Sequence, residues 1–213
     1  MIFFYHLFSV LVMLVVVPCF VLCSFFSRNK WRRLSDHFGL VSLSDKTEST
    51  PKTIWFHAIS LGEVVGVTPT IRLLKKSRPQ DRIVISVTTD SGFEAAKRKL
   101  PDVDSIFFFP LDCFVFTWTA LKKIKPDLFV LVETGFWPGF IHLLHLKGVP
   151  ILLFNGRISS RSMRKYKMFS SFFSKQFNRF TMLCIQNPHS KNTLESLGVE
   201  KSRLMVVGDP KFD

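Results

Sequence analysis

Seven short apolar segments alternate with amphipathic segments between residues 53 and 207. The runs at 83–87 and 128–132 are almost continuously apolar, which is typical of strands covered on both faces. Alternation of strands and helices indicates right-handed βαβ units and a parallel sheet. We therefore predict an α/β fold with a Rossmann-like parallel sheet. The predicted strands are 53–59, 82–88, 105–109, 127–133, 150–155, 181–186 and 203–207, and the predicted helices are 62–77, 91–99, 113–124, 136–147, 160–177 and 189–197.

The N-terminal segment has a different character from the rest of the chain. Residues 2–26 are nearly all apolar, and about 20 such residues can span a bilayer core. Basic residues follow at once, which places the body of the protein in the cytoplasm by the positive-inside rule. No Lys or Arg precedes residue 28, which disfavours a signal peptide. An anchor lying in the membrane plane is the alternative, because Pro18 would kink a spanning helix.

These features divide the chain into four parts. We predict a hydrophobic membrane-anchor helix at 1–27, a basic juxtamembrane segment and linker at 28–52, and a Rossmann-like domain at 53–208. Residues 209–213 follow the last predicted strand without a closing helix, and are predicted to begin a linker to a further domain.

Two glutamates lie where predicted strands end. Glu63 follows the first strand through Ser60 and Gly62, and Glu133 ends the strand at 127–133. Ligands of open α/β sheets bind outside the carboxyl ends of the strands, so both acids are candidates for chemistry. Gly62 would let a ligand approach the backbone closely. The alternative is that each acid merely stabilises the start of the next helix.

Polar groups next to these acids extend the candidate site. Thr88 and Thr89 close the second strand, where hydroxyl and backbone N–H groups can bind a sugar or a phosphate. Alternatively, Asp90 or Ser91 only caps the following helix. His57 lies in the first strand and is predicted to support Glu63. His142 and His145 have no acidic partner at metal-site spacing, and the chain has no CxxC pair, so we predict no metal site.

The charge of the chain indicates the chemistry of its partners. The net charge is +13, and residues 156–179 contain seven basic residues and no acid, interleaved with phenylalanines. A basic helix with aromatic residues can lie among lipid headgroups, so we predict a surface facing lipid or phosphate. A solvated face is the ordinary alternative. A nucleic-acid partner is disfavoured, because no helix-turn-helix, RNP or zinc-finger pattern is present.

Several motifs, in order and spacing, resemble the N-terminal half of bacterial Kdo (3-deoxy-D-manno-octulosonic acid) transferases of lipopolysaccharide synthesis. The resemblance runs essentially from residue 1 to residue 213. It rests on the hydrophobic N-terminus, Asp36-His37-Phe38-Gly39, His57-Ala58-Ile59-Ser60-Leu61-Gly62-Glu63, Glu133-Thr134-Gly135-Phe136-Trp137-Pro138, Asn155-Gly156-Arg157-Ile158-Ser159-Ser160-Arg161-Ser162, Gln186-Asn187 and Gly208-Asp209-Pro210-Lys211-Phe212-Asp213.

The resemblance implies the N-terminal, acceptor-binding domain of a GT-B glycosyltransferase, with an inverting transfer of Kdo from CMP-Kdo to a lipid A precursor (lipid IVA). It implies that Glu63 is the general base and that Glu133 and Lys211 stabilise the transition state. No cofactor is implied beyond the donor substrate CMP-Kdo, which a C-terminal domain absent from this chain would bind. The expected acceptor-binding residues are Ser60, Gly62, Thr88, Thr89, Arg157 and Arg161.

The resemblance also implies a location, and one alternative function stays open beside it. The protein is expected at the inner membrane, on a single-pass or monotopic anchor, with its catalytic domain in the cytoplasm. Without a donor domain, the chain alone is expected to be inactive. The alternative function is a non-enzymatic, membrane-bound module that binds lipid A or other anionic lipids.

Overall fold

The computed structural model describes residues 2–24, 28–43, 52–133, 135–158 and 160–208. The strands are β1 (Thr53–Ala58), β2 (Arg82–Val87), β3 (Ser105–Phe108), β4 (Leu128–Val132), β5 (Ile151–Gly156), β6 (Met182–Ile185) and β7 (Leu204–Val206). The helices are α1 (Ile2–Ser24), α2 (Arg28–His37), α3 (Leu61–Ser77), α4 (Asp90–Lys99), α5 (Phe114–Ile124), α6 (Pro138–Leu146), α7 (Ser160–Met168), α8 (Ser170–Phe177) and α9 (Pro188–Ser196), with a short 3-10 helix at Lys201–Arg203.

The strands form one parallel sheet in the order β3-β2-β1-β4-β5-β6-β7. All seven predicted strands are confirmed, with bounds that differ by a residue at either end. The chain moves outward from β1 to β3 and then returns to place β4 on the other side of β1. The strand order therefore reverses between β1 and β4, which is where open α/β sheets form their ligand-binding crevice.

Helices cover both faces of the sheet because the strands carry large apolar side chains on both sides. Ile54 and Phe56 pack on one face, against α3 and α4. Trp55 packs on the other, against α5 and α6, within van der Waals range of four phenylalanine rings. Its indole N–H donates to Ser86 Oγ at 2.8 Å, which satisfies the one polar group that this burial would leave unpaired.

The segment predicted as a single helix at 160–177 consists of two helices. The break falls at Phe169, and Ser170 and Ser171 follow it. Adjacent serines favour a kink because their hydroxyls compete for backbone hydrogen bonds. The core takes up two of the phenylalanines that were predicted to face lipid, since Phe177 is 1% exposed and Phe173 packs against the core. Phe169 does remain exposed, as do the nearby basic side chains.

The N-terminal helix α1 packs one side against the body of the protein. Tyr5 donates its hydroxyl hydrogen to Asp112 Oδ2 at 2.6 Å, and the His6 ring lies edge-on to Phe114. Asp112 also accepts the backbone N–H groups of Gly139 and Phe140 at the start of α6. The opposite side of α1 is exposed and apolar, and comprises Phe4, Leu7, Phe8, Leu11, Leu14 and Val15.

Over the described residues, no helix combines the length and the apolar character that crossing a membrane requires. The predicted anchor at 1–27 therefore stays a prediction.

Part of the predicted juxtamembrane segment and linker is packed onto the sheet domain. Asp36 Oδ2 accepts the backbone N–H of Phe108 at 3.0 Å, and the His37 ring bonds the carbonyl of Phe109 at 2.7 Å. Val41 is fully buried in the core. Residues 33–43 thus form part of the folded body, while 44–51 and 209–213 lie outside the described residues.

Candidate active site

The crevice between β1 and β4 brings the two predicted acids to one edge of the sheet. Strands β1 and β4 are hydrogen-bonded neighbours, with His57 opposite Leu131. Both strands end within two residues of this pair, and the segments that follow carry Glu63 and Glu133. The structure therefore confirms that the two acids share the carboxyl edge, at the point where the strand order reverses.

Glu63 lies in the first turn of α3, and its carboxylate folds back over the turn that leads into the helix. Oε2 accepts the backbone N–H of Ile59 at 2.6 Å, and Oε1 accepts the hydroxyl of Ser60 at 3.3 Å. Ser60 is the N-cap residue but makes no side-chain cap bond to the helix. These bonds hold the half-buried carboxylate in one orientation at the edge of the sheet.

Gly62 borders open space next to this carboxylate. A Cβ at this position would contact only Ser60 Oγ, at 4.0 Å, so the packing of the chain itself does not require a glycine. The start of α3 is consequently open to an approaching ligand.

Glu133 has a strained backbone conformation, with φ of +58°. A side-chain-bearing residue rarely adopts this left-handed region, and the cost is on the order of 1–3 kcal/mol. Its N–H donates to the carbonyl of Phe154 at 2.8 Å. The N-cap of α6 is Trp137, with Pro138 in the first turn, so Glu133 lies too far upstream to cap that helix. This weakens the alternative that Glu133 is only a helix-start acid.

The loop after β4 is packed tightly onto the turn after β1. A Cβ at Gly135 would lie 2.4 Å from Ile59 Cδ1, so any side chain there would displace Ile59. Ile59 is also the residue whose N–H is bound by Glu63. The loop after β4 therefore packs against the side chain of the residue whose backbone N–H Glu63 binds.

A buried hydrogen-bond chain fixes the same loop to the sheet. Trp137 Nε1–H donates to His57 Nε2 at 3.1 Å. With that nitrogen accepting, Nδ1 carries the hydrogen and donates to the hydroxyl and carbonyl oxygens of Ser86, at 3.0 and 3.2 Å. The imidazole is fully buried and stacks on Phe109. His57 thus holds the loop that carries Glu133, whereas the sequence led us to expect that it supports Glu63.

Burial of His57 predicts a loss of stability in mild acid. Burial lowers its pKa to about 3 from the ordinary value of 6.5. Between these values the unfolded chain binds a proton that the folded protein does not, so the free energy of unfolding falls as the pH falls. The loss from this one group is about 2 kcal/mol at about pH 5. Urea titrations at neutral pH and at about pH 5 measure how far the free energy of unfolding falls between the two. In His57→Gln we expect this fall to be about 2 kcal/mol smaller than in the wild type.

The matched control for this prediction is His145→Gln, on an exposed position of α6. Other buried histidines also destabilise the protein in acid, and they do so equally in both variants. Identical pH dependence in the wild type, His145→Gln and His57→Gln would contradict the assignment of a neutral, buried His57.

The two threonines after β2 have different roles. Thr89 caps α4: its hydroxyl accepts the N–H of Gly92 at 3.1 Å and donates to the carbonyl of Ile59 at 3.2 Å. This corrects the alternative that Asp90 or Ser91 is the cap. Thr88 Oγ1 is buried and has no hydrogen-bond partner among the described residues. Of the two predicted hydroxyls, Thr88 is therefore the one that the described residues leave unsatisfied.

The structure adds Arg33 to the site, which the sequence did not single out. Its guanidinium bonds both carboxylate oxygens of Asp90, at 2.8 and 2.9 Å, and the carbonyl of Thr88 at 3.3 Å. It also lies over the Phe108 ring. Helix α2 is thereby drawn to the edge that carries Thr88. No local pattern reveals this pairing, because 57 residues separate the two charged groups.

The structure describes the three remaining predicted site residues, Arg157, Arg161 and Lys211, to different extents. Arg157 is exposed directly after β5, the strand next to β4, so it reaches the same edge. Arg161 is in the first turn of α7, and its side chain is outside the described part of the structure. Lys211 also lies outside the described residues. Within those residues, no group of three or more His, Cys, Asp or Glu side chains could hold a metal ion.

Solved structures with the same arrangement define the class of fold. The UDP-GlcNAc 2-epimerase of Neisseria meningitidis bound to UDP-GlcNAc matches with a TM-score of 0.54 and 12% identity, covering 74% of this chain and 47% of that one. The S. aureus MnaA–UDP structure matches with a TM-score of 0.56 and 12% identity, covering 75% and 45%. At these identities the likeness establishes the fold alone, which is a parallel α/β domain corresponding to part of those proteins.

Sequence relationships identify the family. The family described as 3-deoxy-D-manno-octulosonic-acid transferase (kdotransferase) matches residues 32–213. The 3-deoxy-D-manno-octulosonic acid transferase of Haemophilus influenzae is 28% identical over 211 residues, covering 99% of this chain and 49% of that protein. A bifunctional glycosyltransferase/methyltransferase of Fusobacterium nucleatum is 36% identical over 185 residues, covering 85% and 27%.

The chain belongs to the Kdo transferase family of glycosyltransferases, as its motifs predicted. It spans about half the length of the Haemophilus influenzae transferase.

Proposed function

We propose that this chain is the acceptor-binding half of a GT-B Kdo transferase that transfers Kdo from CMP-Kdo to a lipid A precursor, lipid IVA. The observation that carries the proposal is the placement of Glu63 and Glu133 after the neighbouring strands β1 and β4, in a chain of this family. In the complete protein, a second domain facing this edge would bind CMP-Kdo.

Glu63 acts as the general base in this proposal. A sugar hydroxyl is a weak nucleophile, and a carboxylate within hydrogen-bond reach can take its proton as the new bond forms. The acceptor oxygen attacks the anomeric carbon of Kdo from the face opposite to CMP, the bond from that carbon to the CMP phosphate breaks, and the configuration inverts. The bonds from Ile59 and Ser60 hold the Glu63 carboxylate in a fixed orientation for this role.

Charge develops on both sides of the reacting carbon during this displacement. Positive charge on the sugar ring is stabilised by the carboxylate of Glu133, and negative charge on the departing phosphate by a cation, for which Lys211 is the candidate. The strained backbone at Glu133 supports a role that requires fixed placement. No metal or cofactor takes part in the proposed step.

The acceptor would lie along the same edge. Its sugar would contact Ser60, the open backbone at Gly62, Thr88 and Thr89. Thr88 would offer the hydroxyl that the described residues leave unpaired. Arg157 and Arg161 would contact its phosphates, because they follow the strand next to β4. Arginine suits this task because its planar guanidinium can bond two phosphate oxygens at once.

The proposed location is the cytoplasmic face of the inner membrane. Helix α1 turns Tyr5 and Ser9 towards the protein and exposes an apolar side that includes Phe4 and Phe8. An exposed apolar side of this extent suits contact with the hydrocarbon of a membrane. The net charge of +13 adds attraction to anionic lipids. The second candidate function is a non-enzymatic lipid-binding module, and the exposed apolar side of α1 favours it as well.

A fusion experiment separates the two candidates. The chain is extended after residue 213 by the remaining half of the Haemophilus influenzae relative, and Kdo transfer from CMP-Kdo to lipid IVA is measured. Our proposal predicts transfer that depends on Glu63. A fusion that folds and binds both substrates but transfers no Kdo would instead support the non-enzymatic module.

A further inference from the structure

Arg157 follows β5 and lies between two residues that the fold holds in place. The carbonyl of Gly156, just before it, accepts the backbone N–H of Gln186 at 2.9 Å. Ile158, just after it, is buried in the hydrophobic core and donates its backbone N–H to Ser190 Oγ at 3.2 Å. The main chain is therefore fixed on both sides of Arg157, while Arg157 itself is exposed at the carboxyl edge of the sheet.

The end of β5 has an irregular backbone that sets the direction of this segment. Asn155 has φ of +59°, a left-handed conformation that Asn adopts more readily than most residues with a side chain. The pairing of β5 with β6 also shifts its register between Leu153 and Gly156. Irregularities of this kind are frequent beside active sites, where they re-aim a side chain.

The positive φ of Asn155 has no ordinary structural cause. Among the described residues other than glycine, Lys125, Glu133 and Asn155 have positive φ. Lys125 is the C-cap of α5, where a left-handed residue is usual. Glu133 and Asn155 instead lie at the ends of the neighbouring strands β4 and β5. Backbone strain in this position is typical of functional sites.

Gly156 has no room for a side chain. A Cβ there would lie 2.6 Å from Leu153 Cδ2 and 2.9 Å from Ile185 Cδ1. Both of these side chains are buried in the core, so any larger residue would displace them. This close packing holds the main chain that precedes Arg157 against β6.

The Gln186-Asn187 motif supports the other side of the segment. Asn187 is the N-cap of α9, and its Oδ1 accepts the backbone N–H of Ser190 at 2.8 Å. Ser190 is 1% exposed, and its hydroxyl oxygen in turn accepts the N–H of Ile158, 32 residues away in the chain. A chain of hydrogen bonds thus runs from the cap of α9 to the main chain beside Arg157.

An arginine on a fixed main chain suits recognition of a phosphate at this edge. A guanidinium bonds two phosphate oxygens at once only when it is correctly oriented, and prior ordering lowers the entropy lost on binding. Phe154, close before Arg157 in the chain, accepts the backbone N–H of Glu133 at 2.8 Å. A phosphate bound by Arg157 would therefore lie on the same edge as Glu133.

We propose that Asn155 and Ser190 are positioning residues that fix Arg157 for contact with a phosphate of the acceptor. Asn155 turns the main chain at the end of β5, and Ser190 holds it from the other side through Ile158. Both act through the main chain and do not contact the acceptor. This proposal rests on the proposed function, since it takes the phosphates of lipid IVA as the groups that Arg157 binds.

The test measures, by calorimetry, the binding of two probes to the purified chain in non-ionic detergent. The probes are lipid IVA and the same molecule with its phosphates removed, which we expect to bind at least tenfold more weakly. Ser190→Ala should weaken the binding of lipid IVA about tenfold and that of the phosphate-free probe less than twofold. In an Arg157→Gln background, Ser190→Ala should change the affinity for lipid IVA less than twofold, because the two residues act as one unit.

The matched control is Ser196→Ala, the same change at an exposed position of α9 whose hydroxyl donates to the carbonyl of Thr193. Its affinity for lipid IVA should stay within twofold of the wild type. Asn155 supplies a second pair of variants if Ser190→Ala fails to fold. Gly adopts a positive φ freely and Ala does not, so Asn155→Gly should bind lipid IVA at least fivefold more tightly than Asn155→Ala.

The possible failures are distinguishable. Equal losses for both probes in Ser190→Ala, a loss that persists in the Arg157→Gln background, or equal affinities in the two Asn155 variants would overturn the positioning role and leave the proposed function intact. Equal binding of the two probes by the wild type would overturn the phosphate contact of Arg157, and the proposal with it. No binding of lipid IVA by the wild type would contradict both the proposed function and this proposal.

Discussion

Replacing Glu63 by Gln is expected to lower the rate of Kdo transfer by the complete protein about 10²–10⁴-fold, the usual contribution of a general base. The amide cannot take a proton from the acceptor hydroxyl. Its carbonyl oxygen can still accept the N–H of Ile59, so the turn that leads into α3 should keep its shape. The measurement is the single-turnover rate with CMP-Kdo and lipid IVA at saturating concentrations.

The matched control for this prediction is Glu94→Gln, an exposed acid on α4 whose nearest recorded ionic contact is Lys97 at 4.0 Å. It should transfer Kdo at the wild-type rate. Acceptor affinity and the free energy of unfolding should change little in Glu63→Gln. Transfer within threefold of the wild type in that variant would rule out Glu63 as the base and leave it the role of fixing the turn.

Replacing Asp112 by Ala is expected to lower the free energy of unfolding by about 3 kcal/mol or more. The carboxylate is 8% exposed and accepts hydrogen bonds from Tyr5, Gly139 and Phe140. Two of these donors are backbone N–H groups at the start of α6, which have no partner within the helix. Truncation therefore leaves buried donors unpaired and removes the hydrogen bond that joins Tyr5 of α1 to the body. Denaturant titration measures the loss.

Two further variants define the cause of this loss. Asp112→Asn keeps one acceptor oxygen in the same place, and should be destabilised by less than Asp112→Ala. Asp102→Ala, at an exposed turn before β3, should change the free energy of unfolding by less than about 0.5 kcal/mol. A loss below 1 kcal/mol in Asp112→Ala would show that the contacts between Asp112 and helices α1 and α6 contribute little.

The sequence predicts the sheet well because its signals are local. Each strand is a short apolar run, and Gly, Pro or polar residues separate it from the next helix. Glu63 and Glu133 could be assigned to one edge for the same reason: parallel strands all end on the same side. The reversal between β1 and β4 follows from the strand order in space, which the alternation alone does not determine.

The parts that were missed depend on contacts between residues far apart in the chain. Arg33 reaches Asp90 only after α2 folds across the ends of β2 and β3, and this basic segment otherwise resembles a solvated linker. His57 was expected to serve Glu63 because the two are close in sequence, but its ring points to the side of β1 where Trp137 lies. The phenylalanines of α8 indicated a lipid-facing surface, whereas the core takes up most of them.

Hydrogen exchange on this chain, with and without a lipid A precursor, tests the central claim most directly. The account predicts slower exchange at 59–63, 88–92 and 135–139, the segments that follow β1, β2 and β4. It predicts this even if the chain alone transfers no sugar, because the acceptor site is built from these segments. Precursor binding that leaves all three unprotected, or protects only α8, would contradict an acceptor site between β1 and β4.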